Sequence, residues 1–544
     1  MDMGVNSSSD ASGMLLSPSQ GSRHMSLLVG VGFCLLLASW HFMFKPSAGD
    51  GATKEPPVSS TSLPIFGHLL GFYRHNIGYL EILRRQTRWP AYTIQILNLK
   101  TYVVTTPALS HVALRSRMLS LEPLSAMVVT RMLGLSKEAN GILGLDKRGN
   151  WVGSPVLSER RVEFSRLLAP GPSLTGPSEI ASNTVAAAVN AFGTEWEKQD
   201  LFRWLRDVIT SGTVMGLYGP KNPVALDPTL IEDIWIFDEN QLAMTWGFLQ
   251  SWIAPAGVRA VKRISDAFEA YVREGRYELA SEAVKSTIAA TRKLGLCDND
   301  YARLEVFNIS VATVNTVPTA VSMIYNILAN PKLLAAVRDE LQGVLTTLPV
   351  DGKTHGRKKQ ELDLSAADKT CPLLIACYQE ALRIGSTPTC NRAVLNDTVL
   401  TDPETGHQIK VNKGQRVSIP TFMLHSRDQI WGGDATVFDP WRFLPGGSAA
   451  DSKGRAREQG FVPYGGGVHL CPGRHLAKLE ILASGALMIM ALEFSAEREG
   501  DNIVAPAYAG GFIGEANDKK TLASKFVRIR RREGLEDVEW SVKI

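Results

Sequence analysis

Along this chain of 544 residues, apolar positions recur mainly at helical spacing, so helices predominate; no internal repeat is visible. The longest periodic stretches predict helices over Asn183–Lys198, Val261–Lys293, Ala302–Leu328 and Pro331–Leu345. The third of these is strongly apolar and ends at Asn330-Pro331, but it also contains Pro318. A proline brings no N–H to the helix, so Pro318 should open it locally and free a carbonyl that can hold a water. Between Asp351 and Asp368 the chain is polar and Lys-rich, which predicts an exposed loop between helices. Near the C-terminus, Lys525–Arg532 starts by alternating basic and apolar residues, which predicts an exposed edge strand rather than a nucleic-acid or lipid patch.

The amino-terminal pattern is different. Residues 1–25 are polar and rich in Ser and Gly, whereas Ser26–Phe44 contains no Asp, Glu, Lys or Arg. Those 19 residues come close to the roughly 20 needed to cross a bilayer. Lys45 and Pro46 stop the run, and no small-x-small cleavage site follows it cleanly, which favours a retained anchor over a cleaved signal peptide. The proline segment Glu55–His68 is stiff and closes in a turn. The chain thus divides into a polar tail (1–25), a transmembrane anchor (26–44), a linker and hinge (45–68) and one large body (69–544).

Composition narrows the function. A net charge of +4 is small for this length and argues against a nucleic-acid partner. The six cysteines, Cys34, Cys297, Cys371, Cys377, Cys390 and Cys471, show neither metal-cluster nor disulfide-framework spacing. Five of them look like small hydrophobes in a reducing compartment. Cys471 stands apart, in Phe461-Val-Pro-Tyr-Gly-Gly-Gly-Val-His-Leu-Cys471-Pro-Gly-Arg-His475, with a run of helix formers directly after it. Glycines let that backbone turn tightly and approach a flat ligand. A cysteine just ahead of a helix start meets unpaired N–H groups and the positive end of the helix dipole, both of which favour a thiolate. A thiolate against a flat ligand is what an axial ligand of haem iron requires. The plainer alternative is a buried structural cysteine in a glycine loop.

The loop resembles the haem-binding segment of cytochrome P450 enzymes, Phe-x-x-Gly-x-Arg-x-Cys-x-Gly. Tyr464 stands at the Phe position, Gly467 and Gly473 match, His469 stands for Arg, and Cys471 is the ligand position. Two further segments occur in the order that family requires: Glu380-Ala-Leu-Arg383, and Phe438–Phe443 with Arg442. The resemblance covers nearly all of the chain beyond about residue 55. It implies a mainly α fold with small β-sheets, one large P450 domain behind the membrane helix. It implies a structural Glu380–Arg383–Arg442 cluster, haem b held by Cys471, and propionate contacts from Arg392 and His469. In that family a Trp and an Arg from an earlier helix add a propionate contact; here Arg161 and Ser165 stand at those positions, and Arg166 could compensate.

The oxygen-handling helix departs from the family's Ala-Gly-x-Asp/Glu-Thr. By eye Ala312–Thr316 could be aligned to it, with Thr316 as the hydroxyl. Counting back from Pro331 by the family's usual spacing puts Asn315 at the Thr position and Val314 at the acid position. With Pro318, this resembles the branch that contains sterol 7α-hydroxylases and prostacyclin synthase. Asn315 and Thr316 are therefore the catalytic candidates, because an amide can donate to and accept from a water without an acid; Asn315 could alternatively just satisfy the broken helix.

The implied function is a haem-thiolate monooxygenase using dioxygen and NADPH electrons from a P450 reductase. The alternatives are an isomerase or dehydratase that rearranges a peroxide without a reductase, and a non-catalytic haem or lipid binder. The implied location is the endoplasmic reticulum membrane, single-pass, with a cytosolic catalytic domain, a luminal Asn6 open to glycosylation and bare cytosolic sequons at Asn308 and Asn396. Arg474 and Lys478 offer a basic surface for an acidic reductase, or a plain solvated face. The pocket segments Leu119–Leu135, Phe237–Ala254 and Tyr508–Gly514 look apolar and aromatic, which suits a small apolar substrate of terpenoid, meroterpenoid or steroid type. The overall look suggests a filamentous fungal biosynthetic enzyme.

Overall fold

Helices begin where the sequence supplies a cap. Ser154 accepts from the Leu157 N–H at the start of α1 (Pro155–Leu167), whose first residue is a proline already fixed in helical φ. α2 spans Pro172–Asn190, and Asp200 caps α3 (Leu201–Tyr218) through the Arg203 N–H at 3.0 Å. α4 (Leu230–Met244) and α5 (Pro255–Arg273) pack on each other and on α6 (Asp298–Thr313). α7 (Thr316–Leu328), α8 (Pro372–Gly385) and α9 (Arg474–Ala491) form the centre of the core. α9 is almost wholly buried from Ile481 onward, and a Cβ on its Gly485 would strike the Met323 side chain of α7. The glycine thus lets the cysteine-bearing helix lie close to the helix of the broken turn.

The computed structural model describes residues 54–59, 67–75, 78–87, 89–96, 99–349, 358–386, 389–445, 454–498, 500–505 and 526–544. The tail, the anchor, Asn6, most of the hinge and residues 508–514 lie outside these. Among the described residues, Asp298–Leu328 is long and apolar enough to cross a membrane, yet 67% of its apolar window is buried inside the protein, as befits a central core helix.

The main sheet has the order β1 (Ala91–Ile96), β2 (Leu99–Val104), β10 (Arg416–Pro420), β7 (Thr389–Val394), β3 (Leu119–Ser120). β10 runs parallel to β2 and antiparallel to β7, which sets Arg392 opposite Val417 at the rim of the cavity described below.

Several helix and loop expectations need correction. The segment 183–198 is not one helix: α2 ends at Asn190 before Gly193, and β4 (Glu197–Asp200) follows. Val261–Lys293 is split at Gly275, whose φ of +70° is left-handed, into α5 and a second helix Glu282–Lys293. Pro331–Leu345 is helical only to Gln342, and β5 (Leu345–Leu348) takes over. The polar segment 351–368 holds β6 (Lys358–Asp363), because the chain end returns as β13 (Val538–Lys543) and pairs with it in parallel. Nor is Lys525–Arg532 an edge: β12 (Phe526–Arg531) is the middle strand between β11 (Leu492–Ala496) and β4. Its basic side chains are consumed locally, Arg531 on the Phe192 and Val538 carbonyls and Arg530 over the Trp196 ring.

The core also carries a poorly compensated acid. Glu480 of α9 is 3% exposed, and among the described residues only the Thr213 hydroxyl faces its carboxyl, outside good hydrogen-bond geometry. Burial pushes its pKa up to about 8. The unfolded chain ionises this group in the ordinary carboxylate range, so its contribution is fully present below that range and is lost as pH rises to about 8. Glu480→Gln should therefore raise stability at neutral pH by about 3 kcal/mol and flatten the pH dependence above the carboxylate range. Urea unfolding midpoints across pH check this, and parallel curves for both proteins would refute it.

Candidate functional site

The glycine loop is built by backbone demand. Gly465 and Gly467 have φ of +74° and +65°, and a Cβ on Gly467 would collide with the Leu114 carbonyl. The Cys471 N–H donates to the Tyr464 carbonyl (3.1 Å), which closes the loop and turns the thiol into a cavity of about 720 Å³. The N–H groups of Gly473 and Arg474 point at the sulfur and lower its pKa, but burial outweighs them and pushes the thiol up. The N–H groups at the helix start thus favour the thiolate as expected, while burial of the site opposes them. Behind the loop, the Tyr464 and Tyr378 hydroxyls meet at 2.8 Å, and burial raises the Tyr464 pKa to about 12. Tyrosine at this position is therefore held from α8.

The opposite wall is the junction of α6 and α7. The helix expected over Ala302–Leu328 breaks at Val314–Asn315, one turn ahead of Pro318, which has no N–H for the Val314 carbonyl. Hydroxyls mend part of the gap, with Thr316 donating to the Ala312 carbonyl (3.2 Å) and Thr319 to that of Asn315 (2.8 Å). Both catalytic candidates line the cavity, but they differ. Thr316 is 4% exposed with its hydroxyl engaged, whereas Asn315 is exposed into the cavity and its amide has no protein partner among the described residues.

Cationic and polar groups gather at the rim. Arg392 is 3% exposed; it donates to the Asn391 and Gly466 carbonyls, and its buried Nε has no partner. His469 Nε2 accepts from the Leu121 N–H (3.3 Å), which puts the remaining proton on Nδ1. Burial, then the nearby charges of Arg392 and Arg161, lower its pKa to about 4, so the ring is a neutral donor at neutral pH. Arg161 of α1 lines the same cavity and donates to the Val468 carbonyl at 2.7 Å. Arg166 does not compensate for Ser165, because it is exposed and paired with Glu163. On the outer side, Arg474 donates to the Cys471 carbonyl and keeps its charge without an ion pair, whereas Lys478 pairs with Asp368.

Beneath the site Glu380, Arg383 and Arg442 come together at 0–1% exposure. Glu380 accepts two bonds from Arg383 (2.7 Å each), one from Arg442 Nε (3.1 Å) and one from the Asp439 N–H (2.9 Å). The remaining guanidinium hydrogens of Arg383 go to the carbonyls of His425, Ala435 and Val437. The buried neutral His425 then donates through Nδ1 to the Arg383 carbonyl and accepts from the Val462 N–H, which ties the cluster to the start of the cysteine loop.

These residues fit a haem. Of the two cysteines lining the large cavity, Cys390 and Cys471, Cys471 is the one presented by the glycine loop, and an orphaned buried guanidinium N–H on Arg392, with Arg161 and the His469 donor, offers sites for two carboxylates. The pocket segments were read less well. Leu121, Ala126 and Val129 do line the cavity, but Phe237–Ala254 sends only Asp238 there; Phe237 is buried in the core, and Trp246, Phe248 and Trp252 face solvent. Sequence reading also missed Arg160, Tyr218, Glu305 and Asn308 in the wall. Their signal was visible in part: Glu305, Asn308, Ala312 and Asn315 recur at spacings of three and four along an otherwise apolar helix.

Known proteins were compared with the chain. The family described as Cytochrome P450 matches residues 231–508, about half of the chain. A cytochrome P450 monooxygenase of Gibberella zeae is 26% identical over 94% of this chain and 95% of its own length. A 5-beta-cholestane-3-alpha,7-alpha-diol 12-alpha-hydroxylase of Sus scrofa is 22% identical over 80% of this chain and 85% of its own. Among solved structures, retinoic-acid-bound cyanobacterial CYP120A1 superposes with a TM-score of 0.62 at 18% identity, covering 88% of this chain and all of that one.

Proposed function

The chain belongs to the cytochrome P450 family, and from that premise we propose that this monooxygenase inserts one oxygen atom into a bulky, largely apolar terpenoid, meroterpenoid or steroid of fungal secondary metabolism. As a member it works with haem, dioxygen and reductase-supplied electrons. The observation that carries the reading is Cys471, presented by a glycine loop into a large cavity whose far wall is a helix opened at Asn315.

Haem, when bound, supplies the activation of dioxygen. Cys471 Sγ would hold it, with Arg392, Arg161 and the His469 Nδ1–H on its carboxylates. Asn315 would orient a water by donating from Nδ2 and accepting at Oδ1, with the Val314 carbonyl as a second acceptor. Protons would then reach the reacting oxygen through that water rather than through a side-chain acid, since Val314 stands where an acid would. Leu121, Val129 and Phe164 keep bulk water away and fit an apolar skeleton. Asn315→Ala should lower product formed per NADPH consumed by about an order of magnitude. An unchanged ratio would make Asn315 a structural patch for the broken helix.

The proposed location is the cytosolic face of the endoplasmic reticulum, through the anchor 26–44. Trp246, Phe248, Leu249 and Trp252 support it: they are exposed together between α4 and α5, as suits a surface resting on lipid. An NADPH–P450 reductase is the proposed electron source, docking on the Cys471 side, and Asn6 is the proposed luminal glycan site.

The test uses microsomes holding this protein and a reductase, given NADPH, isotopically labelled dioxygen and a panel of terpenoids and sterols. Label in a product is expected. Product formed without label or NADPH would establish peroxide rearrangement instead.

A further inference from the structure

One group of cavity residues has no part in holding haem or handling protons. Glu305 of α6 is 2% exposed and lines the cavity. Its carboxyl accepts from the Tyr218 hydroxyl (2.5 Å) and from the Asn308 amide (2.7 Å). The Tyr301 hydroxyl also faces it, outside good hydrogen-bond geometry. Burial raises the Glu305 pKa, and the nearby Arg160 guanidinium opposes that rise. Such a cluster is costly in a wall meant only for hydrocarbon. It is also left incomplete. Asn308 spends its N–H on Glu305, but its Oδ1 has no protein partner, and among the described residues no protein acceptor takes up the Arg160 guanidinium. An acceptor fixed by Glu305 and a guanidinium that feels the same carboxyl therefore line one cavity.

We propose that Asn308, held by Glu305, and Arg160 in the same cavity wall form a subsite for a hydroxyl group at the far end of an otherwise apolar substrate. The hydroxyl donates to Asn308 Oδ1 and accepts from Arg160. A ketone can use only the second contact, and a hydrocarbon neither. At 1.5 Å per residue, the seven residues from Asn308 to Asn315 put this oxygen roughly 10 Å along α6 from the level of Asn315. The wall between is apolar, with Phe307, Val311 and Ala312. The preferred substrate is thus a fused-ring or prenylated alcohol, anchored at one end and oxidised about a ring system away. This reading rests on the proposed oxygenation of a bulky apolar molecule.

The test is ligand titration of the haem-loaded full chain, followed by the shift of its main absorption band, with cholestane, cholestanone, cholestanol and cholanic acid. Cholestanol is expected to bind about tenfold tighter than cholestanone, and cholestane weakest. Asn308→Leu and Arg160→Met should each cut the cholestanol-to-cholestane affinity ratio about tenfold. The second variant leaves the Glu305 bonds intact, so it separates lost recognition from a disturbed fold. Equal affinity for cholestanol and cholestane, or a ratio unmoved in Arg160→Met, would overturn the subsite while the proposed oxygenase activity stood. Tightest binding of cholanic acid would replace it with a carboxylate site. No shift with any of the four would overturn the subsite together with the substrate class it rests on.

Discussion

Glu380→Ala is expected to leave no folded, haem-containing protein to purify. The substitution removes the buried carboxylate shared by Arg383 and Arg442, both 1% exposed, and leaves Arg442 only the more exposed Asp434 and Asp439 and Arg383 no ion-pair partner. Breaking one buried ion pair costs about 3–5 kcal/mol, and here two pairs share the acid. Whole domains retain only about 5–15 kcal/mol, so one change removes much or all of the stability. Arg383→Lys should fail nearly as badly, because one ammonium cannot reproduce both bonds to Glu380 and those to the carbonyls of His425, Ala435 and Val437. Haem-absorbing yield and thermal unfolding measure the outcome. A variant recovered in normal yield, unfolding within a few degrees of the parent, would show that the cluster can be dispensed with.

Cys471→Ser should act in the opposite manner, sparing the fold and erasing the chemistry. The side chain is half-buried, and the loop around it is closed by the backbone bond to Tyr464 and the positive φ of Gly465 and Gly467, none of which needs sulfur. Circular dichroism and unfolding should therefore hold within about 1 kcal/mol of the parent. The reduced, carbon-monoxide-treated protein should lose the thiolate-type absorption band, and product formation should fall below detection. A serine variant that kept the band would sink the assignment of Cys471.

The two variants probe residues whose legibility in the sequence differed. Cys471, Gly467 and Gly473 stood in one short segment, since a tight turn against a flat ligand needs its glycines beside its cysteine. Arg160 and Tyr218 were silent, because they lie on other helices than Asn308 and line one cavity with it only when α1, α3 and α6 pack together. His425 was hidden for a related reason: both its partners, Arg383 and Val462, are backbone groups far away in sequence.

By itself the sequence determined the helical character, the haem-thiolate loop and the weak spot at Pro318. These are local matters, written in spacing, in glycine φ and in a missing N–H. Tertiary structure decided whether the basic segment at Phe526–Arg531 was an edge or a central strand, since that depended on β11 and β4 arriving from elsewhere. It also decided the protonation bias of Cys471, where desolvation by the surrounding fold outweighs the local N–H groups. Only packing could do so, because the field at a side chain is set by everything that folds around it.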